Sequence, residues 1–331
     1  MYSEEENNDP IDFEANIRQR PSSYIGALGS TGKIFLLKLV LVQCVEVSKD
    51  TPVFVHVTRC IRDVFNIVIE SEASLEELNG DRFKLGVDFL ALNAIYALSE
   101  DFQLNIENGK LNLEFRLDEE CLGAELLDWE YFTREMKQFA VLNKYVDLLI
   151  TDKTGKYLQQ HHFHYPNGII DLTNRLRDQE RFTTEFELWM TDQLGEHQVN
   201  FYIGFKPSLL GDTRNYPKVV YANDVLLVVP GSIREGIITG VIGGIRQVLR
   251  QKRRGKEFMI QRKAVVDDLF IIATIRSKKL NFSETNNGQL DMEELEQGIE
   301  KVVKAQTINL MEDIDVDSFL FGYLKDNPFG K

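Results

Sequence analysis

Residues 34–47 read IFLLKLVLVQCVEV, and this run limits the fold more than any other stretch. Lys38, Gln43 and Glu46 interrupt it, and it falls short of the roughly 18–20 apolar residues that a membrane span needs. Its apolar residues point in every direction around a helix, so it predicts a helix buried on most sides rather than one lying on a surface. Directly before it stands RQRPSSYIG, where Pro21 pushes Arg20 out of the helical region and turns the chain after two arginines. The simplest reading of that turn is a surface loop leading into the buried helix.

At 331 residues the chain exceeds a usual single domain, and 43% apolar with 27% charged residues supplies two cores. We expect domains over 1–180 and 181–331. A formal charge of −14 argues against a surface that binds nucleic acid everywhere, while leaving room for a local basic patch. The three cysteines, Cys44, Cys60 and Cys121, show no CxxC spacing and read as reduced thiols. The opening MYSEEENNDP lacks the basic-then-apolar order of a signal peptide. The expectation is a soluble cytoplasmic protein without membrane contact.

Strand patterns VFVHV and FNIVIES are followed by a helix at 85–99. FQLNIENGKLNLEFRL reads as a hairpin about the Asn108-Gly109 turn. A helix near 129–141, two strands about Thr154-Gly155 and a helix at 168–178 complete the first half. The second half begins with EFELWMTD and HQVNFYIGF about Gly195, then KVVYANDVLLVV as one strand. A long helix over 233–251, the strand VDDLFIIATIRS, a polar loop NFSETNNGQ and a helix from Met292 to Leu310 follow. Each half joins a sheet to helices, so the class is α+β.

IRQRPSSYIG followed closely by a helix resembles the VRKRPGMYIG element of the B subunits of DNA gyrase and topoisomerase IV. NAIYALSE is similar to that family's VVNALS, and LNKYVDLLITDKTGK with HFHYPNGIIDLTNRL resembles its LN…DK..GK…FHYEGGI stretch. GSIREGIITGVIGGIRQVLR and VVDDLFIIATIRS are similar to elements of its transducer domain. The likeness runs from about 14 to 328. It implies a GHKL-type α/β sandwich followed by a transducer resembling domain 2 of ribosomal protein S5. The family's DNA-cleaving region finds no counterpart in these residues.

The resemblance also implies an ATP site, and the residues depart from it. ATP hydrolysis needs a carboxylate to activate water, an oxygen to hold Mg²⁺ and bare backbone amides against the phosphates. Where the family has its base and Mg²⁺ ligand, LVQCVEVSKD places Val40 or Leu41 and Cys44 or Val45, with Gln43 between them. Glu46 is the nearest carboxylate. Sliding it one turn moves it roughly 4.5–6 Å along the axis, too far for direct proton abstraction. Glu70 or Glu72 stands for the adenine-binding Asp, but no glycine follows it. Gly86 alone survives of the phosphate glycines, and Asp88 and Phe89 intrude. ETNNGQ at 284–289 replaces the transducer's QTK loop and offers no lysine; Lys278 and Lys279 come too early. The expected remnant of a nucleotide site is therefore Gln43, Cys44, Glu46, Glu70 and Gly86, with no catalytic residue, no cofactor and no metal. ATP with Mg²⁺ is the alternative.

His162 and His164 share one face of a strand pattern, which reads as structure before it reads as a metal edge. EDIDVD at 312–317 reads as a solvated acidic loop or helix cap. RQVLRQKRRGKEFMIQRK at 246–263 holds eight basic residues, so Arg250, Lys252, Arg253 and Arg254 are the candidates for DNA contact. TGVIGG lies in mid-helix, where close packing explains it better than phosphate binding. The leading expectation is a non-hydrolytic protein acting through protein contacts, pairing with itself or with a gyrase or topoisomerase IV subunit. A working but rearranged ATPase and a DNA clamp are the rivals. The acidic arm before Phe13, which includes Tyr2, is expected to be loose up to Pro10 and unnecessary for pairing.

Overall fold

A computed structural model describes residues 13–48, 51–73, 75, 78, 90–184, 186–206, 215–252, 262–277, 279–283 and 289–312. The chain divides into two units, Met1–Gly168 and Ile169–Lys331.

In the first unit three helices open the chain: α1 (Phe13–Gln19), α2 (Pro21–Ile25) and α3 (Gly29–Val47). Then come β1 (Val53–Cys60), β2 (Val64–Ser71), α4 (Leu90–Ala97), β3 (Ser99–Glu107) and β4 (Lys110–Leu117). The unit ends with α5 (Glu119–Leu122), α6 (Trp129–Leu142), β5 (Val146–Asp152) and β6 (Gln159–His164). These six strands form one mixed sheet in the order β3-β4-β2-β1-β5-β6. In it β1 pairs with β5 in parallel, and the other described pairs are antiparallel. Alternation sorts the strands: Val53, Val55, Val57, Phe65, Ile67, Ile69, Leu111, Leu113 and Phe115 face a core shared with the helices. The opposite face is polar.

The apolar run is buried as expected. The helix α3 contacts α2, α4, α5 and α6 above that sheet, so nearly every direction around it is covered. Burying each Leu, Ile or Val side chain contributes roughly 1.5–3 kcal/mol. Its polar members are matched individually: Lys33 Nζ reaches Asp63 Oδ2 at 3.1 Å and the Glu125 carbonyl at 2.7 Å, and Lys38 Nζ reaches Glu135 Oε2 at 2.9 Å. Asp63 also accepts from Arg59 Nε at 3.0 Å, and Arg59 lies 3.8 Å from Asp152. The result is a buried chain of alternating charge that links α3, β1, the β1–β2 turn and β5. The turn itself holds two consecutive left-handed residues, Arg62 (φ 60°) and Asp63 (φ 50°).

The proline-broken turn is helical rather than a plain loop. Pro21 sits at the start of α2, and Arg20 (φ −137°, ψ 57°) makes the bend. Arg18, one turn earlier, donates to the Ala97 carbonyl at 2.7 Å and to Asp118, fastening α1 to the end of α4. Asp118 in turn caps α5 by accepting from Glu120 N at 2.8 Å. Burial pulls the Asp118 carboxyl upward, but hydrogen bonds from Arg18, Glu120 N and Cys121 hold it below the usual carboxylate range.

The second unit contains α7 (Ile169–Glu180), β7 (Phe186–Leu194), β8 (His197–Phe205), β9 (Lys218–Ala222) and β10 (Val225–Leu226). It continues with α8 (Ser232–Lys252), α9 (Arg262–Asp268), β11 (Leu269–Arg276), β12 (Phe282–Ser283), β13 (Gln289–Leu290) and α10 (Glu293–Met311). A mixed sheet runs β10-β9-β11-β8-β7, with β9 and β11 parallel. The expected boundary at 180 falls at the end of α7, and the division places that helix in the second unit with β7 and β8.

Two sequence readings are corrected here. KVVYANDVLLVV is a hairpin and not one strand, because Asn223 (φ 45°) and Asp224 (φ 64°) both take the left-handed conformation that reverses the chain. The strand expected over VDDLFIIATIRS begins only at Leu269; Val266 to Asp268 complete α9. Elsewhere the hairpin at Asn108 (φ 52°) and Gly109 (φ 72°) is as expected, and so is the packing of TGVIGG. Gly236, Gly240 and Gly244 form a stripe along α8 against Ile299, Val303 and Thr307 of α10. A methyl on Gly240 would lie 2.7 Å from Val303 Cβ.

Candidate functional site

The face of α3 implied to carry catalytic groups is closed. Val40, Leu41 and Cys44 have no solvent exposure and belong to the core of the first unit. Burial alone pushes the Cys44 thiol up to about 12, so it is neutral at physiological pH and a poor ligand for a cation. Gln43, 8% exposed, turns its side-chain oxygen to the backbone N–H of Leu92 at 3.0 Å. Leu92 lies in the first turn of α4, where backbone amides lack helical partners and ordinarily attract anions. A neutral amide oxygen thus takes up one of the donors of that turn.

Of the other expected remnants, Glu46 and Glu70 do not join Gln43 and Cys44. Glu46 is exposed at the last turn of α3. Glu70 alternates with Ile67 and Ile69 and so points to the opposite, polar face of the sheet, where it pairs with Lys110 at 2.7 Å. Glu72 is exposed beyond the end of β2. Gly86, Asp88 and Phe89 lie outside the described residues, as do Lys278, most of ETNNGQ, the arm before Phe13 and all of EDIDVD but Glu312. The helix expected over 85–99 is described as Leu90–Ala97.

Of the basic stretch, α8 carries Arg246 and Arg250, both exposed, and Lys252. Lys252 Nζ donates to the carbonyls of Met311 at 3.3 Å and Glu312 at 3.0 Å, so it caps the end of α10. Arg253 and Arg254 lie outside the described residues. His162 pairs with Asp147, and His164 Nδ1 lies 3.3 Å from the Val146 carbonyl. Among the described residues no group of three or more His, Cys, Asp or Glu is placed to hold a metal ion. No described helix is long and apolar enough to cross a membrane.

No protein-family pattern matches this sequence, and no curated protein does either. Comparison of the structure is more telling. The B subunit of DNA gyrase from Myxococcus xanthus superposes with a TM-score of 0.70 at 16% identity, covering 94% of this chain and 99% of that one. This is the fold of a gyrase B ATPase region. The 43K ATPase domain of Thermus thermophilus gyrase B, solved with an aminocoumarin, gives 0.69 at 17% identity over 90% of both chains. The topoisomerase IV ATP-binding domain of Francisella tularensis, solved with a small-molecule inhibitor, gives 0.68 at 11% identity over 93% of this chain and 94% of that one. Both units fall within the span of those superpositions, so the fold expected from the sequence is the fold observed. Gln43 is the residue whose role the sequence only hinted at. It appeared as a neighbour of the missing ligand, and its partner is an amide on another helix 49 positions away.

Proposed function

We propose that this chain is a non-hydrolytic protein built on the gyrase B ATPase fold and acting through contacts of its folded surfaces. The supporting observation is the closed α3 face: Val40, Leu41 and Cys44 wholly buried, and the Gln43 oxygen seated on the Leu92 amide. A valine or leucine accepts no proton, a neutral thiol binds Mg²⁺ poorly, and the Gln43 oxygen has to leave before a phosphate oxygen reaches Leu92 N. The proposed partner is a second copy or a gyrase or topoisomerase IV B subunit. DNA contact is left out of the proposal, because Lys252, one of its expected residues, is turned to carbonyls of its own chain.

The test is thermal melting of the full chain with millimolar ATP and Mg²⁺ and, separately, with an aminocoumarin. Occupancy at a hundred times Kd stabilises a folded protein by about 2.7 kcal/mol, a plainly visible shift. Neither ligand is expected to move the transition, and no phosphate release is expected. Saturable ATP binding with Mg²⁺-dependent turnover overturns the proposal.

A further inference from the structure

The polar face of the first sheet carries a cleft of 540 Å³, within the roughly 300–1,000 Å³ typical of ligand clefts. It lies across the ends of the strands, and the pairing registers arrange its floor. Glu70 of β2 is opposite Phe54 of β1, Phe54 opposite Asp147 of β5, and Asp147 opposite His164 of β6. These four residues form one row across the sheet. Tyr145 and Glu72 border it.

The chemistry of the row is that of a cation receptor. Phe54 is 37% exposed, an apolar ring open to the cleft between two carboxylates. Glu70 is answered by Lys110 and Asp147 by His162, both on the exposed surface, while Glu72 has no ion-pair partner among the described residues. Three carboxylates in the lining against Lys110, with Lys144 over the bordering Tyr145 ring, still leave the cleft net acidic, so it disfavours phosphates and nucleic acids and attracts ammonium or guanidinium groups. An aromatic ring between carboxylates adds cation–π attraction. Tyr145 already displays this preference, with Lys144 Nζ 4.7 Å from its ring centroid.

Spacing narrows the ligand further. Adjacent strands lie about 4.8 Å apart, so Glu70 and Asp147, two strands apart, are separated by about 9.6 Å. A polyproline II segment repeats every three residues at about 3.1 Å per residue, returning a side chain to the same side after about 9.3 Å. We propose that this cleft is a docking site for a basic, extended peptide segment of a partner protein. Arg or Lys at positions i and i+3 would meet Glu70 and Asp147, and the intervening turn would rest on Phe54. The proposal is independent of the nucleotide site, and it stands or falls whether or not ATP binds.

Two fluorescent proline-rich peptides of equal length and charge provide the test, one with arginines at i and i+3 and one with them at i and i+2. Fluorescence anisotropy with the full chain is expected to show saturable binding of the i, i+3 peptide. The i, i+2 peptide is expected to bind about fivefold more weakly, roughly the loss of one exposed ion pair. Glu70→Gln and Asp147→Asn are each expected to weaken the first peptide severalfold. Phe54→Ser, which changes no charge, should weaken it too. Glu293→Gln with Glu294→Gln, outside the cleft, should leave it unchanged. Equal affinity for the two peptides, no binding, or the same loss in the Glu293/Glu294 variant as in the cleft variants overturns the proposal. Unchanged melting of each variant shows that the fold is intact.

Discussion

Gly240 and Gly243 are three positions apart in one helix, and the structure assigns them opposite responses to the same substitution. In a helix interior, replacing glycine by alanine gains about 1 kcal/mol from backbone entropy. At Gly243 the new methyl would meet only the flexible side chain of Lys304 at 3.4 Å, so most of that gain survives. At Gly240 the methyl would stand 2.7 Å from Val303 Cβ and 2.8 Å from the Glu300 carbonyl, both fixed to the backbone of α10. Reaching ordinary contact at 3.4 Å requires a shift of 3.4 − 2.7 = 0.7 Å between the helices. A gap of about 0.5–1 Å forfeits a quarter to a half of each dispersion well, and Gly236 and Gly244 share the same seam. The overpacking cost therefore lies at the upper end of its range of about 1–3 kcal/mol. Gly240→Ala is expected to destabilise by about 2 kcal/mol net, and Gly243→Ala to stabilise by about 0.5–1 kcal/mol. The two tryptophans, Trp129 and Trp189, sit one in each unit. A Trp129→Phe background therefore lets urea unfolding report on the second unit through Trp189. Adding Val303→Ala to Gly240→Ala should recover stability, giving a coupling of at least about 1 kcal/mol. Equal or greater stability of Gly240→Ala over its parent refutes the close-packing argument.

Val40→Glu is expected to destabilise the first unit by several kcal/mol, because it buries an unpaired charge, and to restore no ATPase activity; a well-folded variant in chemical denaturation would show an α3 face open to water. Lys33→Met should cost about 3–5 kcal/mol by leaving Asp63 short of a buried partner, as read from denaturation midpoints. The Cys44 thiol should react with a disulfide reagent only on global unfolding. Its folded pKa lies above the unfolded one, so its contribution is intact below pH 9 and is lost as pH rises towards about 12; the stability of wild type relative to Cys44→Val should fall across that window. The hydrogen bonds that hold Asp118 down act in the opposite direction. Their contribution is present above its unfolded pKa and disappears as acid protonates the folded carboxyl, so Asp118→Asn should flatten the acid limb of the melting profile.

Most elements were legible because their signals are local. The Asn108-Gly109 turn, the Gly195 turn and the periodicity of 233–251 depend on residues within a few positions of one another. The failures arose where chemistry competed with pattern. KVVYANDVLLVV is apolar enough for one strand, yet Asn223 and Asp224 tolerate the left-handed region, and Asn223 clasps Ser277 with both ends of its amide. The helix at the start of VDDLFIIATIRS is hidden because only its last three residues fall in that stretch, ahead of the strongly strand-like LFIIATI. The candidate site entered the sequence reading only as residue types that differ from the resembling family's at matching positions. Gln43's hold on Leu92 was not legible, since it joins two helices whose separation in space no spacing rule supplies. The row from Glu70 to His164 was hidden for the same reason, because strand order decides which residues lie abreast.

The buried chain of charge from Lys33 through Asp63 and Arg59 to Asp152 also sets an order of assembly. Lys33, Arg59 and Asp63 leave the ribosome early, and together they carry one more positive charge than negative. Asp152, which neutralises the sum, comes at the end of β5, the strand that joins β1 in parallel. Until it arrives, closing α3 over the β1–β2 turn would seal in an unbalanced cation, so the helix layer cannot settle on a half-made sheet. The first unit is therefore expected to fold after translation has passed residue 152 and not strand by strand behind it. Stalled nascent chains ending at β4 should remain open to protease, and those extending through β6 should resist it.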